Sequence, residues 1–347
     1  MIRSAGVFHI STIKDVALLA GVSPATVSRV ITQKGNIASE TRAKVYSAME
    51  QVNYIPIQSQ ALNKSGTISF SIARDPKEML GNPFFSDVLC GISDAAKKSD
   101  YNVQFSLYYN IEEQIEKSIR LFKKKQADGF IFTSVMSSDK DLLLKSMQEK
   151  DIPFVMIGSS MNPNIFSVHN DNIRDSYMVT KYLLDKGYRN ILFLTPNLKQ
   201  DVMYDRMHGY RRAIEECGGD VSANIVFSSN EEVDITKALD KVMEDGIAFD
   251  AILTMECIMS LIAMKYCQSK NKSVPEDVGI LSFNNATYLD KVSPSITGLN
   301  LNPAVLGAEA FQLVYDLINT NPQAMVQKSV KLPSEIIERQ STQRTLA

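Results

Sequence analysis

The chain has 347 residues, with 37 lysines and arginines against 39 aspartates and glutamates, no tryptophan, four cysteines and 44% hydrophobic residues. This is ordinary globular usage, and it excludes a disordered, collagenous or disulfide-framed chain. At ~100 to 200 residues per domain the length implies two or three folded units rather than one core.

The charge is unevenly placed. Residues 1–64 hold seven bases and three acids, so a head with four surplus positive charges precedes a body with six net negative ones. That is the balance of a polyanion-binding module joined to something else. No apolar stretch reaches the ~18 residues of a membrane span, and MIRSAGVFHI lacks the apolar run of a secretory signal, so a cytoplasmic protein without a membrane partner is expected. Cys90, Cys217, Cys257 and Cys267 lie 127, 40 and 10 positions apart with no paired Cys/His spacing. They are expected to be reduced core thiols, with neither metal nor cofactor bound.

In chain order, Thr12 is placed to cap a first helix, with Asp15 at its third position and Val16, Leu19 and Ala20 as its apolar face. Gly21-Val22 breaks that run, and Ser23-Pro24 is a second helix start. Val27, Val30 and Ile31 then face one way, while Pro24, Ala25, Thr26, Ser28 and Arg29 lie at the start or on the opposite side. A helix with so small, polar and basic an outer face can enter a major groove about 12 Å wide and present its first residues to base edges. Periodicity alone favours the plainer reading, a helical hairpin with a solvated face.

The string TIKDVALLAGVSPATVSRVI, followed by ETRAKVYSAMEQVNYIP, resembles the DNA-binding head of the lactose-repressor/galactose-repressor family from Thr12 to Pro56, ending in Asn53-Tyr54-x-Pro56. The resemblance implies that Pro24, Ala25 and Arg29 read bases and that Ser23, Thr26 and Ser28 sit at or near phosphates, with Thr12 and Thr32 completing the contacting set. Three departures stand out. Thr32 replaces the usual asparagine, Ala38 stands where Ser or Asp normally caps the third helix, leaving Ser39 as a substitute cap, and the segment after Pro56 is irregular. In that segment, IQSQALNKSGT, the resemblance implies a hinge helix with Leu62 as a minor-groove wedge. Its spacing is one residue short and Ser65-Gly66 weaken a helix, so a polar linker is the alternative. The expected domains are a helix-turn-helix head at 10–57, a hinge at 58–66 and a body at 67–340.

From Thr67, β-rich runs (TISFSI, VQFSL, GFIFTS, FVMIG, NILFL, ANIVF, AILT, VGILSF) alternate with helical stretches. Alternation of this length implies parallel sheets covered on both faces, with too many strands for one compact sheet. Two α/β lobes facing each other would bind a ligand at their strands' carboxyl ends and could close by hinge motion. The segment order is similar to the same family's core, which implies a periplasmic-binding-protein-like fold. An N-lobe is then expected at about 67–168 and 298–322, and a C-lobe at about 169–297 and 323–340, with three crossings.

Asn82, Phe84 and Phe85 stand at a helix start after the first strand, where free N–H groups and aromatic faces can hold a polar ring. Arg206, in Asp205-Arg206-x-x-Gly209-Tyr210, is the arginine that the resemblance places in the ligand, where its fork suits two hydroxyls or a carboxylate. Asn284 and Asn285 follow VGILSF where many relatives carry acids. Amides suit sugar hydroxyls, and the family's maltose-type regulators are similar here. Asp171 marks the first crossing, with His169 read as structural. Glu256-Cys257 departs from the Asn-Asp of many relatives, and Tyr108 and Tyr288 are rim or core aromatics able to stack on a sugar.

The expected function is a repressor of a carbohydrate-utilisation operon. A homodimer would bind double-stranded operator DNA, and a small sugar, first of all maltose or a maltodextrin, would release it. The alternatives are a cytosolic sugar-binding protein or sugar-processing enzyme, and a family regulator with altered DNA binding. With only His9, His169 and His208, no phosphate-binding glycine loop and no G-x-S-x-G, catalytic residues are not expected.

Overall fold

A computed structural model describes the chain except residues 1–11, 32–36, 53, 55–63, 75–81, 134, 160–164, 198, 219–223, 321–326 and 345–347. The chain divides into two compact units, residues 1–65 and 66–347.

The first unit holds α1 (Ile13–Ala20), α2 (Pro24–Ile31) and α3 (Ser39–Gln51). The Asp15 carboxylate accepts from the Thr12 N–H and the Thr12 hydroxyl, each at 2.7 Å, fixing the start of α1. Gly21, at φ +64°, ends it in the left-handed conformation that a glycine adopts without a Cβ penalty. The Ser23 oxygen accepts from the Thr26 N–H at 3.1 Å and so caps α2. Val16, Ala17, Val27, Val30, Val45 and Ala48 form the core, with Ile13 and Ala20 packed against it. The buried stripe of α1 is therefore Ile13, Val16, Ala17 and Ala20, the i, i+3, i+4, i+7 set. Leu19, expected inside, is 50% exposed and Leu18 is 85% exposed. Ala38, not Ser39, stands at the N-cap of α3, and it makes no side-chain cap bond.

The second unit contains two six-stranded sheets. Strands β1 (Thr67–Ala73), β2 (Asn102–Tyr108), β3 (Gly129–Thr133), β4 (Phe154–Ile157), β5 (Ser167–Asn170) and β11 (Ser329–Leu332) form the first, ordered β11-β5-β4-β3-β1-β2 and parallel throughout. Strands β6 (Ile191–Thr195), β7 (Ile225–Phe227), β8 (Ala251–Thr254), β9 (Gly279–Ser282), β10 (Thr297–Asn300) and β12 (Glu335–Ile337) form the second, ordered β12-β10-β9-β8-β6-β7. Only β12 runs antiparallel in it. Helices α4 (Pro83–Lys98), α5 (Ile111–Lys123) and α6 (Lys140–Gln148) follow β1, β2 and β3. In the second lobe α7 (Asn172–Asp185) precedes β6, and α8 (Asp201–Glu216), α9 (Glu232–Glu244) and α10 (Cys257–Ser269) follow β6, β7 and β8. The last helix, α11 (Pro303–Asn319), packs against the first lobe's core.

The central strands are continuously buried, as strands covered on both faces must be. Two helix pairs approach closely enough to need glycine. A Cβ on Gly209 of α8 would lie 2.1 Å from the Ile173 carbonyl oxygen, and one on Gly91 of α4 would lie 1.8 Å from that of Ala304.

The chain crosses between sheets after β5, after β10 and between β11 and β12. The expected lobe boundaries shift accordingly. The first sheet keeps the chain through Asn170, residues 298–300 pair in the second sheet, and residues 329–332 return to the first. These four strands, SVHN, TGLN, SVKL and EII, have three or four residues each and little apolar patterning, so partner strands rather than local sequence define them. Buried Asn170 gathers the crossings. Its amide donates to the carbonyls of Leu301 and Leu332, at 3.2 Å each, the last residues before the other two passages.

Candidate functional site

On the head, Ser23, Pro24, Ala25, Ser28 and Arg29 are exposed on α2 while Val27 and Val30 are buried beneath them. Thr26 is half-buried, its hydroxyl 2.9 Å from that of Ser23, and Thr12 is exposed at the start of α1. The start of α2 thus carries hydroxyls, a proline and a small methyl side chain, with a guanidinium in its last turn. Such a surface can reach base edges and phosphates together. Thr32 and Leu62 lie outside the described residues.

In the body, a cavity of about 100 Å³ lies between the lobes, at the carboxyl ends of the central strands. Asn82, Phe84, Phe85, Arg206 and Asn284 all line it. Asn82 has two roles: its side-chain oxygen accepts from the Phe84 N–H at 3.0 Å, capping α4, and its amide nitrogen donates to the Glu256 carboxylate of the second lobe. The Phe84 ring packs against the cores of both lobes and meets Phe85 edge-on at 5.4 Å.

Arg206, 7% exposed on α8, lies 4.6 Å over the Phe283 ring. Its Nε donates to the Asn172 side-chain oxygen at 3.1 Å, and Nη1 approaches the Met255 sulfur at 3.1 Å. Burial pulls the guanidinium down to about 10, against the nearby negative charges of Glu256, Asp175 and Asp205, which favour the cation. Asn284 reaches the same Glu256 carboxylate at 3.5 Å.

Two expected residues lie elsewhere. The Asn285 side-chain oxygen accepts from Arg339 Nη2 at 2.8 Å and does not line the cavity, because the turn after β9 sends consecutive side chains apart. Asp171 caps α7 through the Arg174 N–H at 3.3 Å and pairs with Lys331 at 3.1 Å. Burial raises its carboxyl, but the Lys331 and Arg174 hydrogen bonds outweigh that and hold it below the ordinary value. His169 keeps a structural position, with Nδ1 2.7 Å from the Asn170 carbonyl and Nε2 2.9 Å from the Ser329 hydroxyl, though its side also borders the cavity. Tyr108 and Tyr288 do not border it.

Sequence reasoning passed over Arg74, Asn172, Gln200 and Met255 and marked Glu256 only as a departure; all five line the cavity. Arg74 and Met255 directly follow the carboxyl ends of β1 and β8, so the strand-end rule could have found both. Among the described residues no group of three His, Cys, Asp or Glu side chains could hold a metal, and no helix is long and apolar enough to cross a membrane.

A helix-turn-helix head joined to a two-lobed body with a buried polar cleft defines a DNA-binding regulator. Residues 12–57 match the family described as bacterial regulatory proteins, lacI family, and residues 180–342 match the periplasmic binding protein-like domain. The chain is 31% identical over 318 residues to the HTH-type transcriptional regulator MalR of Streptococcus pneumoniae serotype 4, covering 89% of this chain and 93% of that one. It is 29% identical over 343 residues to the HTH-type transcriptional repressor PurR of Vibrio atlanticus, covering 97% and 99%. Its fold is similar to that of the transcriptional regulator CelR in a cellobiose complex, with a TM-score of 0.73 at 22% identity over 96% of this chain and 100% of that one. The chain belongs to the lacI family of bacterial regulatory proteins. It is a DNA-binding transcriptional repressor, not an enzyme.

Proposed function

We propose that the protein represses a carbohydrate-utilisation operon from the cytoplasm, as a homodimer on a pseudo-palindromic operator, and that a neutral sugar in the cleft releases it. The observation carrying this reading is the convergence of Asn82, Glu256, Asn284, Asn172 and Arg206 on one cavity from both lobes. Buried amides, a carboxylate and a guanidinium provide the donors and acceptors that a ring of hydroxyls needs, and Phe84 and Phe85 supply apolar faces. A ligand touching both lobes binds one lobe arrangement better than another, and that difference is all that can shift DNA affinity.

On the head, Pro24, Ala25 and Arg29 are proposed to read bases, with Thr12, Ser23, Thr26 and Ser28 at phosphates. Similarity to MalR makes maltose and maltodextrins the first sugars to try. The amide pair no longer argues for them, because only Asn284 faces the cavity.

The test is salt-dependent binding of the purified protein to DNA flanking its own gene, with and without maltodextrins, other disaccharides, galactosides and nucleobases. Tight, sequence-specific binding relieved by one sugar supports the reading. Relief by a nucleobase alone overturns the carbohydrate assignment, and weak binding indifferent to sequence overturns the operator assignment.

A further inference from the structure

Lys140 is the first residue of α6 in the first lobe, and Asp201 is the first residue of α8 in the second. Their side chains form an ion pair, each only 8% exposed. Lys140 Nζ also donates to the Ser159 carbonyl at 2.7 Å, and the Ser137 hydroxyl donates to the second Asp201 oxygen at 2.6 Å. Beside them, the Ser137 N–H donates to the Lys199 carbonyl at 2.8 Å. None of these residues belongs to the three crossing segments, so the contact is independent of the covalent hinge. Gln200, Val202 and Met203, next to Asp201 in the chain, line the cavity.

We propose that Lys140 and Asp201 form a latch whose two charges the closed lobes tolerate only as a pair, and that it parts whenever a small molecule enters or leaves the cavity. A lysine ammonium and a carboxylate are stable in this buried position only together. With one partner removed, the closed lobes would enclose an uncompensated charge, whereas separated lobes return it to water. The pair therefore makes closure nearly all-or-none rather than graded. The latch follows from lobe geometry, whichever ligand the cavity takes.

The chain carries its own probe positions. Cys90 on α4 and Cys217 after α8 are exposed, one on each lobe, while Cys257 and Cys267 are buried. Maleimide labels on Cys90 and Cys217 of the full chain, diluted with excess unlabelled protein, report the interlobe distance distribution without added ligand.

We expect Asp201→Asn and Lys140→Met each to raise the open-to-closed ratio by about tenfold or more. The double variant Lys140→Met/Asp201→Asn, which leaves no buried charge unpaired, should return towards the wild-type distribution. Wild-type distributions in both single variants overturn the latch, as does a double variant at least as open as either single one. If a charge variant fails to fold, Ser137→Ala removes one hydrogen bond and should shift the same distribution in the same direction; an unchanged distribution there also overturns the proposal.

Discussion

The amide of Asn82, ahead of α4 in the first lobe, donates to the carboxylate of Glu256, ahead of α10 in the second, so one hydrogen bond spans the cleft. Asn284 approaches the same oxygen. Glu256→Gln keeps the size and the hydrogen-bonding capacity but removes the charge that strengthens these bonds. Effector affinity should fall about tenfold, the equivalent of ~1.4 kcal/mol. Titration with whichever sugar relieves operator binding measures it, and unchanged affinity would remove Glu256 from the ligand site.

Arg206 is held on three sides by Asn172, Met255 and Phe283 and is compensated by buried carboxylates. Replacing it with Ala should weaken effector binding by about tenfold or more, since hydrogen bonds to a charged group are worth ~1.5 to 3 kcal/mol. Operator binding should persist but no longer respond to the effector. Effector affinity within twofold of wild type would count against this pocket.

Arg29 is exposed in the last turn of α2. Arg29→Ala should narrow the discrimination between the operator and random DNA by about 1 to 3 kcal/mol, the worth of a base-contacting arginine, while effector affinity stays unchanged. Competition binding at two salt concentrations separates the outcomes: a uniform loss on all sequences would assign Arg29 to phosphate contact alone.

Gly209 sits where α8 meets α7, and a methyl group there would press on the Ile173 carbonyl and the Tyr177 nitrogen, both backbone atoms. Gly209→Ala should lower stability by about 1 to 3 kcal/mol, as overpacking does. Denaturant unfolding reads the effect, and a wild-type midpoint would show that the helices separate freely.

Burial raises the thiols of Cys257 and Cys267 to about 11, whereas Cys90 and Cys217 are exposed. Because thiolate is the reactive form, a thiol reagent at pH 8 should modify Cys90 and Cys217 in the native protein and reach the other two only in denaturant. Rapid reaction at all four in the native state would contradict the packing of α10.

The helical head and the alternating lobes were legible because burial imposes a period on sequence: the Val27 and Val30 stripe in α2, and continuous apolar runs in β3 and β6. Leu19 was misplaced since two adjacent leucines fit a helical period in more than one phase, and contact with α2 and α3 selects Val16 and Ala17. Asn82 was recoverable from its position at a helix start after a strand, and Arg206 through the family resemblance. Glu256 stood out only as a departure, and its function as an acceptor for two amides depends on residues 174 and 28 positions away.

By itself the sequence determined what neighbours along the chain can settle: which segments are helices, where Ser23 and Asn82 cap them, and that the body alternates strand with helix. Tertiary structure decided what depends on pairing across distance. It assigned SVHN and SVKL to one sheet and TGLN and EII to the other, turned Asn284 into the cavity and Asn285 away from it, and brought Lys140 to Asp201. Strand partners, side-chain direction after a turn and buried ion pairs are properties of the closed fold, and no local period encodes them.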